Sequence, residues 1–533
     1  MGPPSGAAKK TDPLDDQTPH DAVLESEIVR ESDMAPPTQM SHAEVRTIFF
    51  GLMLACFLAA LNQTIIATAL PTMGRHFGDF ENLPWLVTSY LLTSTVVSTL
   101  YGKLSDIHGR RLMMLTAVGL FVAGSIACAV APNMWALILG RALQGIGGGG
   151  ILPLAQAVIA DVVAPRERGR YQAYMGVVWV TSGVAGPVLG GFLAEQFHWS
   201  LIFWINVPLG LAAAFMCHQN LARIPRNERK HRIDLFGAAL MMAAALPLLL
   251  ALTWGGTRYA WLSPQILGLI ALTFVLSVWF GWHLTRVDEP FLPLTVLNNQ
   301  VMRWGTATAS FNMGTSIGLT IYVPFYFEQV HRLSATESGV ALIPLALTTP
   351  GSLLAGRVML YYRRYKWAAM IALVCCIVSL AILVWWPTMP LGYSIALMSV
   401  IATGIGVVYP ITTVSIQNAV PYYQVGVAMG AMNFFRALGS ALAVAVMGAI
   451  ILTGLGSAPG RTGTAVMSGV INASDWQVAQ VFRWVFFAAL VFLVLALICL
   501  IIMEERPLRG STTSDLPVTP STPTPVPPPA AAP

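Results

Sequence analysis

The sequence predicts an all-α polytopic membrane protein, and three observations carry that expectation. Of 533 residues, 55% are hydrophobic and only 10% charged, whereas an ordinary soluble domain has about 25% charged residues. The apolar residues gather into fourteen runs, each close to the roughly 20 residues that a helix needs to cross a hydrocarbon core. The runs are continuous rather than alternating, and longer than the roughly ten-residue strands of a membrane β-barrel.

The expected spans lie at roughly 47–70, 84–103, 112–131, 134–160, 171–194, 200–219, 235–253, 265–285, 304–328, 337–359, 368–387, 390–411, 426–454 and 481–503. An even number puts both chain ends on one side. If that side is the cytoplasm, the inner loops and C-terminal flank hold 18 Lys and Arg, and the outer loops hold 4. Short basic loops stay inside, so a cell-membrane protein with both termini cytoplasmic is expected. The net charge of +5 is too small and scattered for a nucleic-acid surface. Its densest run, RIPRNERKHR at 223–232, reads as an inner loop on the membrane surface.

Domain organisation follows from composition. Residues 1–46 form an acidic cytoplasmic tail, with nine acids against four bases, poor in apolar residues and expected to be disordered. Residues 47–220 make an N-terminal six-helix bundle, 221–303 a basic cytoplasmic linker plus helices 7 and 8, and 304–503 a C-terminal six-helix bundle. Residues 504–533 are a Pro-rich tail, extended or disordered. No basic segment precedes a short apolar one, so no cleavable signal peptide is expected. An internal repeat supports two related halves. Gly102, Lys103 and Arg110 recur as Gly356, Arg357 and Arg364 at an offset of 254, as does MGVVW at Met175 with MGAMN at Met429. GIG at 145–147 recurs at 404–406. Spans 7 and 8 are then an inserted hairpin, and a site between paired bundles is a transporter plan.

The six cysteines sit inside apolar runs with no CxxC or Cys/His cluster, so they read as buried small hydrophobes. No metal, cofactor or disulfide is expected. There is no phosphate-binding loop, hydrolytic triad or metal cluster in the sequence, so nothing supports an ATP-driven pump or an intramembrane enzyme, and no enzyme is expected.

Several residues carry chemistry. In GKLSDIHGRR (102–111), Gly102 and Gly109 are expected to bracket a tight turn. Asp106 sits there among Lys103, Arg110 and Arg111, as an ion-paired latch or within simple basic anchoring. Arg141, with Gln144 beside it, and Arg436 fall inside apolar spans, where a charge costs roughly 2.5–3.5 kcal/mol on insertion scales and is functional by default. Gly145, Gly183, Gly186, Gly190 and Gly191 let helices approach closely, and Pro187 permits a kink. No carboxylate lies well inside a span. Glu328, in the outer part of span 9, is the best protonatable candidate beside an interfacial reading. Gln63, Trp179, Asn312, Tyr322, Phe325, Tyr326 and Phe434 are candidates for lining a substrate path.

These motifs resemble one family. GKLSDIHGRR is similar to the gating loop of the major facilitator superfamily, and GRALQGIGGGG with Arg141, Gln144 and Gly145 is similar to its span-4 signature. SGVAGPVLGG (182–191) resembles the span-5 element of its antiporters. LNQTIIATALP (61–71), WSLIFWINVPLG (199–210) and NFFRALGS (433–440) resemble the 14-span drug:proton antiporter branch. The resemblance covers roughly 47–503. It implies a major facilitator fold, a gating role for 102–111, and coupling roles for Arg141. Where that branch usually has Asp in span 1, this chain has Asn62, which cannot titrate.

The function expected is a secondary exporter of amphipathic small molecules, neutral or weakly acidic because Arg141 and Arg436 face no deep acid. It would work by proton antiport and alternating access, with protons, substrate and membrane lipid as partners. An uptake permease or uncoupled facilitator remains open, as does a non-transporting sensor or scaffold. By resemblance, a periplasmic adaptor and outer-membrane channel are further partners, with the outer loop at about 455–480 as the dock.

Overall fold

A computed structural model describes residues 42–79, 82–223, 234–256, 258–287, 289–343, 347–362, 364–454 and 475–508. The acidic tail up to residue 41, most of the basic run at 223–232, most of the expected dock at 455–480, and the tail from 509 lie outside the described residues. The described chain is helical, without a β-strand. Its helices are α1 (His42–Phe77), α2 (Leu83–His108), α3 (Arg110–Ala129), α4 (Met134–Val162), α5 (Pro165–Gln196), α6 (Leu201–Trp204) and α7 (Asn206–Asn220). They continue as α8 (Leu235–Trp254), α9 (Pro264–Leu284), α10 (Leu294–Asn298), α11 (Gln300–Val330), α12 (Ala335–Ala341) and α13 (Thr348–Tyr361). The chain ends in α14 (Lys366–Trp385), α15 (Leu391–Ala419), α16 (Val425–Gly454) and α17 (Asp475–Ile502).

Helix falls at all fourteen predicted segments, and twelve of the described helical stretches are long and apolar enough to cross a membrane. The other two segments differ for stated reasons. α11 has 31 residues, but its Thr, Ser, Asn and Gly dilute its apolarity. The tenth segment is not one rod: α12 ends at Ala341 and α13 restarts at Thr348. Pro350 sits in the first turn of α13, where its missing N–H costs nothing. Span 6 is loosened but not broken at Ile205, whose backbone stays helical and whose N–H still bonds to the Leu201 carbonyl at 3.0 Å.

One apolar core draws only on residues from Val45 to Leu221, and another only on residues from Val301 to Leu508. A third joins α2, α4, α8 and α16, so α8 braces the line where α2 meets α16. α9 joins this core only through Phe280 and Leu284; along the rest of the helix only Ile266 is buried, leaving an apolar outer surface. Asp234 ties this hairpin together at one end. It caps α8 by accepting from the Gly237 N–H at 2.7 Å, lies 3.0 Å from Nε2 of His283 on α9, and accepts from the Phe291 N–H at 3.1 Å. Burial alone would raise its pKa, but these bonds outweigh burial and hold the carboxyl below its ordinary value.

Candidate functional site

The site is built where the N-terminal helices meet the C-terminal ones, toward the end of the bundle that carries Arg110, Arg168 and Lys366; we call this the basic end. The first element there is α2. It does not stop at Gly102, as the sequence reading expects, but runs helically to His108. Only Gly109 makes the turn, at φ 91°, a conformation L side chains rarely adopt. Gly102 serves packing instead: a Cβ there would collide with the carbonyl of Gly426 on α16.

That close approach places Asp106 against the start of α16. Its carboxylate accepts from the N–H of Gly426 at 3.1 Å and of Val427 at 2.9 Å. First-turn N–H groups have no partner within their own helix, and the helix N-terminus favours an anion. Arg110 holds the carboxylate in place. Its Nη1 donates to Asp106 at 2.5 Å and its Nε to Asp161, near the end of α4, at 2.8 Å, with all three side chains buried. Of the other bases in the motif, Lys103 is buried, whereas Arg111 turns away to His218 on α7 at 2.9 Å. The buried ion-paired cluster is therefore Asp106, Arg110 and Asp161, not the whole basic loop.

Deeper in the same seam lies a polar cluster that the sequence reading missed. Gln156 on α4 donates to the Tyr409 hydroxyl on α15 at 3.0 Å and accepts from Asn433 on α16 at 2.6 Å. Gln417 donates to the Gln156 carbonyl at 2.9 Å. Arg436 joins from α16: Nη1 donates to Asn433 Oδ1 at 3.3 Å, and its Cζ sits 4.5 Å above the Tyr409 ring. The available signal was polar amides inside apolar spans, which are costly unless partnered.

Arg141 occupies a different place. It is 1% exposed, within the N-terminal core, with Cζ 4.5 Å above the Tyr90 ring. Nε donates to the Leu86 carbonyl at 2.9 Å and Nη1 to Gln144 at 2.5 Å, while Gln144 donates to Ser125 at 2.6 Å. No carboxylate pairs with it among the described residues. Asn62 is fully buried on α1 and takes a long 3.4 Å bond from Asn206; Gln63 is part-exposed.

The glycine row of α5 splits. Gly186 and Gly190 pack on Thr64, Ile65 and Thr68 of α1, whereas Gly183 and Gly191 face open space, correcting the expectation that all four serve packing. Helix α5 continues through Pro187. Gly145 packs against Tyr90 and Thr93, and its neighbours in the run press on α2 and α3. Of the lining candidates, Trp179 and Tyr322 are part-exposed and Phe325 is 44% exposed. Tyr326 is corrected: it is fully buried, donates to the Pro387 carbonyl at 2.8 Å, and packs on Phe482 and Phe486. Asn312 and Phe434 are likewise buried in helix packing, Asn312 donating to the Ile405 carbonyl at 3.2 Å. Glu328 is part-buried near the C-terminal end of α11.

Comparison with known proteins follows from this geometry. Residues 52–444 match the Major Facilitator Superfamily. The chain is similar to the multidrug transporter protein MdtP of Bacillus subtilis (strain 168), 32% identical over 405 residues, covering 75% of this chain and 74% of that one. It is similar to the MFS-type efflux pump LUC4 of a Fusarium species, 32% identical over 465 residues, covering 84% and 81%. Among solved structures it resembles the human organic anion transporter MFSD10, with TM-score 0.57, 16% identity, and coverage of 86% of this chain and 99% of that one. It also resembles the proton:xylose symporter XylE, with TM-score 0.57, 13% identity, and coverage of 88% and 98%. At those identities the likeness to solved structures is one of fold.

Proposed function

The chain belongs to the major facilitator superfamily, and from that premise we propose that it is a secondary exporter of amphipathic small molecules, driven by proton antiport through alternating access. The relatives named multidrug transporter and efflux pump support the export direction. One observation carries the mechanism: Asp106 of the N-terminal helices holds the first turn of α16 across the seam, beside the Gly102–Gly426 contact. These bonds belong to a state closed at the basic end. Opening that end must break them together, so substrate meets the inside and the outside in turn.

In this reading the basic end faces the cytoplasm, because 18 Lys and Arg lie on that side against 4 on the other. The chain crosses the cell membrane fourteen times with both termini inside. The substrates are neutral or weakly acidic, since buried Arg141 and Arg436 repel permanent cations and pair with no acid among the described residues. A second reading has one observation in its favour. Asn62 cannot carry a proton, and the buried acids of the gate are both engaged by Arg110, which fits a facilitator without ion coupling.

Flux of a fluorescent amphipath in inverted and right-side-out vesicles, with and without an imposed pH gradient, separates these. Gradient-driven accumulation in inverted vesicles is expected. Flux indifferent to the gradient establishes the facilitator, and accumulation in right-side-out vesicles establishes uptake.

A further inference from the structure

We propose that Arg436 is an anion-reading switch: it binds the acidic group of a substrate when the basic end is open, and holds the Asn433–Gln156 clasp when that end is closed. The proposal rests on the export reading for its substrate path and deepens it.

The argument starts from an imbalance. Arg436 is 6% exposed, and no carboxylate pairs with it among the described residues. Its guanidinium contacts are a long 3.3 Å bond to Asn433, a weak 3.4 Å contact to Met313 Sδ, and the face of Tyr409. Its Nε is buried with no partner. Most of its donors are therefore left over, in the planar fork that suits a carboxylate. A buried cation this poorly paired is costly, and an arriving anion removes that cost. Asn433, Tyr409 and Met313 stay part-exposed, so open space borders the cluster.

Asn433 makes the switch. Its Oδ1 accepts from Arg436 while its Nδ2 donates to Gln156 Oε1 at 2.6 Å and to the Met429 carbonyl at 2.8 Å. Among the described residues, Gln156 is the side chain of the N-terminal half that hydrogen-bonds into this cluster, and it reaches three C-terminal residues, Tyr409, Asn433 and Gln417. An anion that takes Arg436 draws its guanidinium off Asn433 and weakens the bridge. Closing the bridge returns Arg436 to Asn433 and loosens the anion, which is then free to leave outward. The ligand shifts the equilibrium only through this difference in affinity. Arg141 has no such role, because its carbonyl and amide partners all belong to its own half.

The test uses the full-length protein in a Cys375→Ser background, the other five cysteines being buried. Nitroxide labels at His108→Cys and Gln424→Cys report the separation of α2 and α16 at the basic end. Naphthoate and its neutral carboxamide are the probes, with binding read by calorimetry. Naphthoate is expected to bind about tenfold or more tightly than the carboxamide, as a charge-assisted pair allows, and to lengthen the label distance. Arg436→Gln should bring the binding ratio near one and remove the lengthening. Arg436→Lys, which keeps the charge, should retain part of both. Gln156→Leu should lengthen the distance without ligand. Equal or absent binding of the two probes, or lengthening that persists in Arg436→Gln, overturns the proposal. Neither readout requires transport, so a protein that exports nothing yet keeps the preference and the distance change refutes export alone.

Discussion

Two seams join the halves at the basic end, and they are related by the internal repeat. In one, Gly102 of α2 meets Gly426 at the start of α16; in the other, Gly356 of α13 meets Gly169 at the start of α5. Both use a glycine pair to bring backbones together. They differ in charge. At the repeat offset, Asp106 becomes Leu360, a 43% exposed side chain, so the second seam has no carboxylate to cap the facing helix. The comparison teaches that close packing alone suffices to make a seam, while the charged seam adds bonds that must be broken when the halves part. In the proposed alternating-access cycle, the α2–α16 seam is the one expected to set the energy of the closed state, and the α5–α13 seam, packed on glycine, is the one expected to slide.

The sharpest way to break that comparison is a single methyl group. In Gly102→Ala the new Cβ meets backbone that cannot step aside, whereas in Gly356→Ala it lies 3.0 Å from the Gly169 backbone, a tight but smaller misfit. Overpacking costs roughly 1–3 kcal/mol. We expect Gly102→Ala to sit at the top of that range and reduce vesicle transport about a hundredfold, with Gly356→Ala losing under about tenfold. Equal losses would mean the seams share the load.

Removing the charge comes next. Asp106→Asn keeps the shape but takes away a charge-assisted acceptor, worth about 2 kcal/mol, which corresponds to roughly a thirtyfold loss of the closed state. Leu360→Asn at the matching position should change transport less than about twofold. Label distances across each seam check both. A lesser effect is expected from Asp161→Asn, because Arg110 keeps Asp106 as a partner. Asp161 accepts no backbone N–H of α16 and faces only the Tyr422 side chain just before that helix, so its loss should cost about 1 kcal/mol of stability and lengthen the distance across the seam less than Asp106→Asn does.

The all-helical, many-span character of the chain was legible in the sequence because continuous apolar runs are best satisfied in lipid as helices. Gly102, Asp106, Arg110 and Arg141 were legible for a related reason: each breaks the apolar pattern. What the pattern hides is who meets whom. Gln156 and Asn433 are 277 positions apart, and nothing local marks them as partners. Tyr326 and Trp179 look alike as aromatics in spans, yet Tyr326 is locked in the C-terminal core and Trp179 is part-exposed, a difference set by helix rotation. Gly183 and Gly186 differ in the same way. The loosening at Ile205 has a sequence signal that hydropathy alone passes over: Pro208 has no N–H for the Trp204 carbonyl.

The weakest expected effect concerns the inserted hairpin, which leans on the charged seam and not on the other. Asp234 caps α8, which packs on α2 and α16. Replacing an N-cap acid by alanine costs about 1 kcal/mol, so Asp234→Ala should lower thermal stability slightly while changing transport less than about twofold. Its pH dependence has a definite sign. The carboxyl is held below its ordinary value of 3.8, so its stabilising contribution is complete above that value and fades as pH falls through the lower, folded one. The stability gap between the parent and Asp234→Ala should therefore be constant from neutral pH down to about pH 5 and close only below about pH 4. Measured by thermal unfolding in detergent, a gap that already closes well above pH 5 would overturn the assignment of this tie to the hydrogen-bonded carboxylate of Asp234.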